Sequence, residues 1–258
     1  MKGVLKQLKV PDRHSRKGEN GKLLIVAGSR KYHGAPAFCA LGARRFCDLV
    51  YFMCAEKSEG TLSQVRQIRE TIVVDELPEA DTVLYGPGIA DAKFPISRLK
   101  KYPKKVIDGD GLKRVSKKGL EGTIITPHEG EFRRLFGVPS TPSNVQEFAK
   151  ECNCTILKKG PTDYISDGER LLKNKNGNAG MTKGGTGDVL SGLTAALFCT
   201  NSAFVAAASA AYITTLAGDM LFKENSYAYC ASDLAEALPK AYKRAMGRTI
   251  MEFANSPL

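Results

Sequence analysis

Leu23-Leu24-Ile25-Val26-Ala27 is a continuous apolar run, and residues 34–46 behind it have the apolar periodicity of a helix. Short apolar runs of this kind recur along the chain, with amphipathic stretches between them. Because the runs are continuous rather than alternating, they predict strands that are covered on both faces, as in a parallel sheet. The other predicted strands are residues 49–52, 82–85, 106–107 and 123–125, and the other helices are residues 62–69, 94–101 and 131–136.

The pattern changes near residue 155. Three short apolar runs follow one another closely, at residues 155–157, 164–165 and 171–172, and Asp167-Gly168 separates the last two. An Asp-Gly pair between two short runs is a hairpin signal. We therefore expect an antiparallel edge at this end of the sheet.

The last third of the chain is predicted to be helical. Between Asp188 and Asp219 no residue carries a formal charge, which at first resembles a membrane span. The stretch is rich in Ala, Ser, Thr and Gly, and Thr200-Asn201-Ser202 interrupts it with a helix-start signal. We expect two buried helices here and no membrane segment. No internal repeat or low-complexity linker divides residues 1–258, which predicts a single α/β sandwich domain.

The composition bears on partners and compartment. A formal net charge of +11 invites a nucleic-acid interpretation, but the basic residues are spread along the chain and no aromatic-basic interleaving marks a stacking surface, so no nucleic-acid partner is expected. The seven cysteines lack zinc-ligand spacing, so no metal site is predicted from them. Residues 1–9 are basic and unlike a secretory signal. Free thiols without a signal favour the cytoplasm.

The strongest chemical signal is Gly184-Gly185-Thr186-Gly187-Asp188, which leads into the apolar pattern of a helix. Glycines leave the backbone amides bare, and amides at a helix start carry the positive end of the dipole, which suits a phosphate. Asp188 falls in the first turn, where a carboxylate is also favoured for structural reasons. Taken alone, the motif is open between a glycine-rich turn with an Asp cap and a phosphate site.

The chain offers no other phosphate-binding motif. It contains no G-x-x-x-x-G-K-[ST] loop and no H-R-D or D-F-G element, which excludes the two commonest kinase designs. Phosphorylation of a hydroxyl needs a base beside an anion hole, because the base accepts the proton while amides stabilise charge on the phosphoryl group. The glycine-rich turn with its aspartate therefore predicts a phosphoryl-transfer enzyme.

The motif and its surroundings resemble a known family. Gly184 to Asp188, continuing into Val189-Leu190-Ser191-Gly192, looks like the signature of the ribokinase-like superfamily. Further blocks, in the same order, are similar to the NAD(P)H-hydrate dehydratase family, and the block around His128 separates this family from vitamin kinases. These blocks are residues 17–29 with 32–35, 86–88, 108–112, 126–131 and 176–182.

The resemblance implies a ribokinase-like three-layer α/β/α sandwich with a mostly parallel central sheet, in a stand-alone dehydratase domain without the epimerase domain of fused members. It implies that a nucleotide phosphate is spent on the ring hydroxyl of hydrated NADH or NADPH (NADHX or NADPHX). Phosphate is then lost, so the reaction is that of a carbon–oxygen lyase and restores NAD(P)H. Prokaryotic members resemble one another in using ADP and eukaryotic members use ATP, and Mg²⁺ is the expected cofactor.

The resemblance also implies site residues, position by position. Asp188 is the base and a substrate contact, and the anion hole consists of the amides of Gly185, Thr186 and Gly187. Asn178 stands where a family asparagine helps the phosphates or Mg²⁺, although a turn residue is the simpler interpretation, and no direct protein ligand to the metal is assigned. The other substrate-binding positions are Ala35, Gly88 and His128, and the nucleotide-binding positions are Lys159, Gly160, Pro161, Thr162, Asp163 and Gly187.

Some positions depart from the family pattern. Lys183 replaces a small residue before the glycines, so it is open between a phosphate contact and a solvent-facing side chain. Ala90 replaces the last glycine of its block, and Phe46 stands where a glycine is frequent. Two other functions stay open, a small-molecule kinase of the hydroxymethylpyrimidine or hydroxyethylthiazole type and a nucleic-acid-binding protein on an inactive kinase scaffold. The oligomeric state is open too, a homo-oligomer included.

Overall fold

A computed structural model describes residues 2–254, with side chains for residues 3–247. Nine strands in this part of the chain form one sheet. They are β1 (Lys22–Ala27), β2 (Leu49–Cys54), β3 (Thr71–Val73), β4 (Thr82–Tyr85), β5 (Lys104–Ile107), β6 (Ile124–Ile125), β7 (Thr155–Lys158), β8 (Asp163–Ser166) and β9 (Leu171–Asn174). Their order is β3-β2-β1-β4-β5-β6-β7-β8-β9. The strands from β3 to β7 pair in parallel, and β8 and β9 form the predicted antiparallel edge.

Helices cover both faces of this sheet. The α-helices are α1 (Lys2–Leu5), α2 (Gly34–Ala43), α3 (Glu59–Arg66), α4 (Glu129–Phe136), α5 (Pro142–Glu151), α6 (Thr186–Thr200), α7 (Ala203–Asn225) and α8 (Ala231–Ala254). Short 3₁₀ turns occupy Ile96–Leu99, Gly109–Arg114, Lys117–Gly119 and Ala179–Thr182. One apolar core lies between the sheet and α2, α3, α6, α7 and α8, and the other lies between the sheet and α4 and α5. The predicted three-layer α/β/α sandwich is confirmed.

Strand β1 explains why its sequence is apolar without alternation. Leu23 and Ile25 belong to the core beneath α2 and α6, whereas Leu24 and Val26 belong to the opposite core. All four side chains are fully buried. A strand at the centre of a three-layer sandwich has no solvent face, so an apolar residue is favoured at every position.

Three sequence expectations need correction. Residues 94–101 are not a helix, because the chain forms only a 3₁₀ turn at Ile96–Leu99 after the extended Pro95. Strand β3 was not predicted; it is short, lies at the edge of the sheet and leaves Ile72 exposed. Helix α5 was also missed, although Thr141 accepts a hydrogen bond from the Asn144 amide and Pro142 occupies its first turn, both of which are helix-start signals.

The uncharged stretch forms two helices, α6 and α7, and Ser202 precedes the second, as predicted. Among the described helices, α7 is long and apolar enough by composition to cross a bilayer, but 83% of its most apolar window is buried in this fold. Its small residues are buried against the sheet and the neighbouring helices. Burial in the protein core therefore accounts for the absence of charge in this stretch.

Helices α2 and α6 are in direct backbone contact. A Cβ atom on Gly42 of α2 would collide with the backbone of Val189, and one on Gly192 of α6 would collide with the backbone of Cys39. The Cys39 thiol also lies 3.7 Å from the Ser191 hydroxyl. These contacts fix the position of the first turns of α6 against α2.

Candidate active site

The glycine-rich turn begins α6 at the carboxyl end of the sheet. Gly185 caps the helix in the left-handed region, with φ of +92°, and a Cβ there would run into the ring of Phe38, so only glycine fits. The Thr186 hydroxyl donates to the carbonyls of Met181 (2.6 Å) and Lys183 (2.8 Å), which holds the turn in place. The side chain of Thr186 is therefore structural.

The amides of this turn lie at the positive end of the α6 dipole. Those of Gly185 and Gly187 have no hydrogen-bond partner among the described residues, and no side chain caps the helix. The Thr186 amide donates to the Lys183 carbonyl over 3.4 Å, a long bond. Unpaired amides at a helix start suit a phosphate oxygen. The Gly185 and Gly187 amides are thus available for the predicted anion hole, and the Thr186 amide is partly engaged.

Asp188 lies in the first turn of α6 and is half-buried. The pKa of its carboxyl is raised to about 7, chiefly by burial and also by the nearby carboxylates of Asp108 and Glu131, while the charge of Lys159 acts in the opposite direction. A carboxyl with a pKa near 7 takes up and releases a proton at physiological pH. Asp188 thus has the proton affinity that a general base needs.

Asp108 directly follows β5, and its buried carboxylate acts on Asp188. Its Oδ1 lies 2.8 Å from the Lys159 Nζ and accepts a hydrogen bond from the Thr126 hydroxyl at 2.7 Å. Burial opposes charge on Lys159, but the carboxylates of Asp108 and Glu131 outweigh it and raise the Lys159 pKa. The sequence comparison gave Asp108 no role, yet a carboxylate directly after an apolar strand is a usable signal, since ligands of α/β sheets bind at the carboxyl ends of strands.

One cleft of about 430 Å³ opens at Asp188. It is lined by all four predicted substrate-binding residues, Ala35, Gly88, His128 and Asp188. Gly88 has φ of +61°, and a Cβ there would come within 2.9 Å of the side chains of Ala35 and Tyr32. Glycine at position 88 therefore allows the backbone to approach Ala35 and Tyr32 closely in the cleft wall. We call this space the substrate cleft.

His128 lies at the N-terminus of α4 beside the substrate cleft. Its Nδ1 accepts hydrogen bonds from the amides of Gly130 (3.0 Å) and Glu131 (3.3 Å), and the Glu131 side chain accepts one from the His128 amide, which completes a capping box. The imidazole is nonetheless 61% exposed. His128 is thus a helix cap that also lines the substrate cleft.

A second cavity, of about 410 Å³, lies on the other side of the α6 start. We call it the nucleotide cavity because its lining includes most of the residues predicted to bind nucleotide. These are Lys159, Gly160, Pro161, Asp163 and Gly187, with Asn178 alongside, whereas Thr162 is not part of the lining. The neighbours Gly187 and Asp188 therefore line different spaces, so the helix start separates the two cavities.

Known proteins include clear relatives of this chain. A family model described as NAD(P)H-hydrate dehydratase matches residues 23–240. The chain belongs to this family. It is 38% identical to the ADP-dependent (S)-NAD(P)H-hydrate dehydratase of Cenarchaeum symbiosum, over 90% of this chain and 91% of that one.

Other family members are longer. The bifunctional NAD(P)H-hydrate repair enzymes of Methanocaldococcus jannaschii and Archaeoglobus fulgidus are 37% and 39% identical to this chain over 93% and 88% of its length. The chain spans about half of each, 52%. The Bacillus subtilis ADP/ATP-dependent NAD(P)H-hydrate dehydratase, co-crystallised with ATP/Mg²⁺, superposes with a TM-score of 0.84 at 25% identity and covers 95% of this chain and 97% of that one. A Pyrococcus horikoshii hydroxyethylthiazole kinase, at 18% identity and a TM-score of 0.50, shares the fold only.

Two residues that are predicted to contact the nucleotide, its phosphates or Mg²⁺ form hydrogen bonds within the protein. Asp163 is buried, and its carboxylate accepts hydrogen bonds from the Gly160 amide (3.1 Å) and the Asn174 side-chain amide (3.0 Å). The side-chain Oδ1 of Asn178 accepts hydrogen bonds from the Gly180 amide (3.0 Å) and the Tyr229 hydroxyl (2.7 Å). The Asp163 carboxylate therefore shapes the turn, and Asn178 occupies a turn as well.

Lys183, which departs from the family pattern, lines neither cavity. Its Nζ donates to the Tyr227 carbonyl and lies 5.1 Å from the centre of the Tyr229 ring. The exposed Lys183 side chain therefore joins the turn to the segment before α8.

Ala90, the other departure near the cleft, has φ of +43°, a left-handed conformation that is costly for alanine. Its amide donates to Asp110 (3.0 Å) and its carbonyl accepts from Arg114 (2.6 Å). A glycine is frequent here in the family because it adopts this conformation without strain. The two hydrogen bonds hold the alanine in place.

Proposed function

We propose that this chain is a nucleotide-dependent NAD(P)H-hydrate dehydratase, with ADP as the favoured donor. The observation that carries the proposal is the position of two neighbours, since Asp188 lines the substrate cleft and Gly187 lines the nucleotide cavity. A hydroxyl held at Asp188 and a phosphoryl group held at the Gly187 amide would meet at the start of α6. Family membership and the ADP-dependent relative support the same reaction.

The first step is phosphoryl transfer. The ring hydroxyl of the hydrated nicotinamide attacks the terminal phosphorus of the nucleotide while the Asp188 carboxylate accepts its proton. The bond from phosphorus to the bridging oxygen breaks, and the shortened nucleotide leaves with the electron pair, as AMP when ADP is the donor. The amides of Gly185 and Gly187 stabilise charge on the transferred group, and the raised pKa of Asp188 suits a base that works near neutrality.

The second step is elimination. The carbon–oxygen bond breaks with its electron pair on the phosphate, and the neighbouring ring carbon loses a proton, so the ring double bond forms again. Hydroxide leaves poorly and phosphate leaves well, which is why the nucleotide is spent first. The products are reduced nicotinamide dinucleotide and inorganic phosphate.

Mg²⁺ is expected to enter with the nucleotide. Among the described residues, no group of three or more His, Cys, Asp or Glu side chains is arranged to hold a metal ion. Mg²⁺ commonly keeps several waters and binds substrate phosphates rather than a cage of protein ligands, so no direct protein ligand is assigned. The bound ion would supply charge neutralisation on the phosphates.

The direct test is to incubate the purified chain with hydrated NADH or NADPH, Mg²⁺ and either ADP or ATP. Recovery of the absorbance of the reduced nicotinamide, with one inorganic phosphate released per turnover, is the expected result. The same preparation is offered hydroxymethylpyrimidine and hydroxyethylthiazole. Accumulation of a phosphoester on either compound, without any recovery of reduced nicotinamide, would replace the proposal by the vitamin-kinase alternative.

A further inference from the structure

The substrate cleft continues into a shallow groove of about 630 Å³ between α4 and the 3₁₀ turn Gly109–Arg114. Lys113 and Arg134 line both spaces, so they mark the passage from one to the other. Lys117 and Lys118 lie farther along the groove, and no acidic residue lines it. We call Lys113, Lys117, Lys118 and Arg134 the basic rim.

The position of Arg134 on α4 explains why its side chain lines both the substrate cleft and the groove. His128 caps the helix, and Glu131 and Arg134 follow at steps of three residues, so the three share one face. All three line the substrate cleft. Arg133, on the neighbouring face, lines neither space and is paired with Glu129 at 3.5 Å.

Most charges around this passage are already matched. The Lys113 Nζ lies 2.6 Å from Asp110, and Lys117 lies 3.1 Å from Glu151. Glu131 is engaged with His128 in the capping box. The Arg134 guanidinium is exposed and has no hydrogen-bond or ion-pair partner among the residues that the structure describes. Lys118 also has no such partner among the described residues, but it lines only the groove. Arg134 is therefore the unpaired cation of the basic rim that lines the substrate cleft.

From this arrangement we propose that Arg134 binds a phosphate of the dinucleotide substrate, with the rest of the basic rim as its electrostatic surroundings. The inference rests on the proposed function, because it requires the nicotinamide end to lie at Asp188. From there the remainder of the substrate, which carries a pyrophosphate and in hydrated NADPH also a 2′-phosphate, extends along the passage. Guanidinium groups pair with phosphate through two parallel hydrogen bonds.

The test compares wild type, Arg134→Ala and Arg133→Ala with hydrated NADH and hydrated NADPH at saturating nucleotide. We expect Arg134→Ala to raise the Michaelis constant for substrate by roughly tenfold, the usual loss for a hydrogen bond to a charged group, with kcat and the nucleotide constant little changed. A rise for hydrated NADPH alone identifies the 2′-phosphate as the partner. An equal rise for both substrates identifies the pyrophosphate.

Arg133→Ala, which removes the same charge one position away, is expected to behave like wild type. The inference is overturned if Arg134→Ala leaves both Michaelis constants unchanged or if Arg133→Ala raises them equally. NADPH binding, followed by its fluorescence, gives a second readout that needs no turnover, and Arg134→Ala should weaken it too. A wild-type chain that binds NADPH through Arg134 but restores no hydrated cofactor would overturn the proposed function and leave this inference standing.

Discussion

Lys159, which lines the nucleotide cavity, forms an ion pair with the buried Asp108, 2.8 Å between Nζ and Oδ1. The two residues lie 51 positions apart in the chain, directly after β7 and β5, and β6 lies between these strands in the sheet. Both act on Asp188, since the Asp108 charge raises the pKa of the proposed base and the Lys159 charge lowers it. Burial is the main cause of the raised Asp188 pKa, and the pair adjusts that pKa from outside the α6 turn.

The first prediction concerns the effect of Asp108 on the pKa of Asp188. Asp108→Asn removes the carboxylate that raises the Asp188 pKa and leaves Lys159 without its partner, so both changes favour the ionised form of Asp188. The acidic limb of the profile of kcat/KM against pH, expected near the Asp188 pKa of about 7, should move to lower pH. Thr126→Val is the control, because it removes a hydrogen bond to Asp108 and keeps the charge. An unmoved limb in Asp108→Asn would contradict the assignment.

The second prediction concerns the base itself. Asp188→Asn should lower kcat by roughly 10²–10⁴-fold, the usual worth of positioned proton transfer, because an amide cannot accept the proton. Nucleotide affinity, measured by calorimetry, should persist, since the amides of the turn are unchanged. Turnover close to that of the wild type would end the proposal that Asp188 is the base.

The same substitution should affect stability in a pH-dependent way. Folding raises the Asp188 pKa from an ordinary 3.8 to about 7, so between these values the folded chain binds more protons than the unfolded chain and stability falls as pH rises. Asp188→Asn removes this cost. We expect it to raise the free energy of unfolding at pH 8 by about 1–2 kcal/mol, after allowance for partial exposure, with little gain at pH 4. Denaturant titrations at both pH values measure the difference.

The third prediction separates the two roles of His128. His128→Ala should lose about 1 kcal/mol of stability, because the cap of α4 disappears, and it should also raise the Michaelis constant for hydrated cofactor. His128→Asn keeps a side-chain cap and lacks the imidazole, so it should restore stability and leave the Michaelis constant high. If Asn restores both quantities, His128 acts through the helix cap and does not contact the substrate.

The fourth prediction concerns Lys183. Because its Nζ is bound to the Tyr227 carbonyl outside both cavities, Lys183→Ala should leave nucleotide affinity and its salt dependence unchanged. Lys159→Ala, which changes a lysine that lines the nucleotide cavity, serves as the comparison and should weaken nucleotide binding. A salt-sensitive loss of affinity in Lys183→Ala would return that side chain to the phosphates.

Local sequence patterns predicted much of the fold and part of the candidate site. The apolar run of β1 and the glycines before Asp188 each act within a few residues, so their consequences were readable from the sequence. The Lys159–Asp108 pair depends on the order of the strands in the sheet, and no local sequence pattern predicts that order. A helix N-terminal position was one sequence-based interpretation of His128, but the capping box itself was not predicted because histidine is not among the usual N-cap residues. The 3₁₀ turn at Ile96–Leu99 arises from its proline and was hidden by the helix-like spacing around it.

The glycine contacts between α2 and α6 have a mechanical consequence. Helix α2 carries Ala35, a wall of the substrate cleft, and α6 carries Asp188. Since Gly42 and Gly192 bring the two backbones together without intervening side chains, wall and base belong to one stiff unit with little room to slide. The cleft wall and the proposed base should therefore keep their alignment when ligands enter.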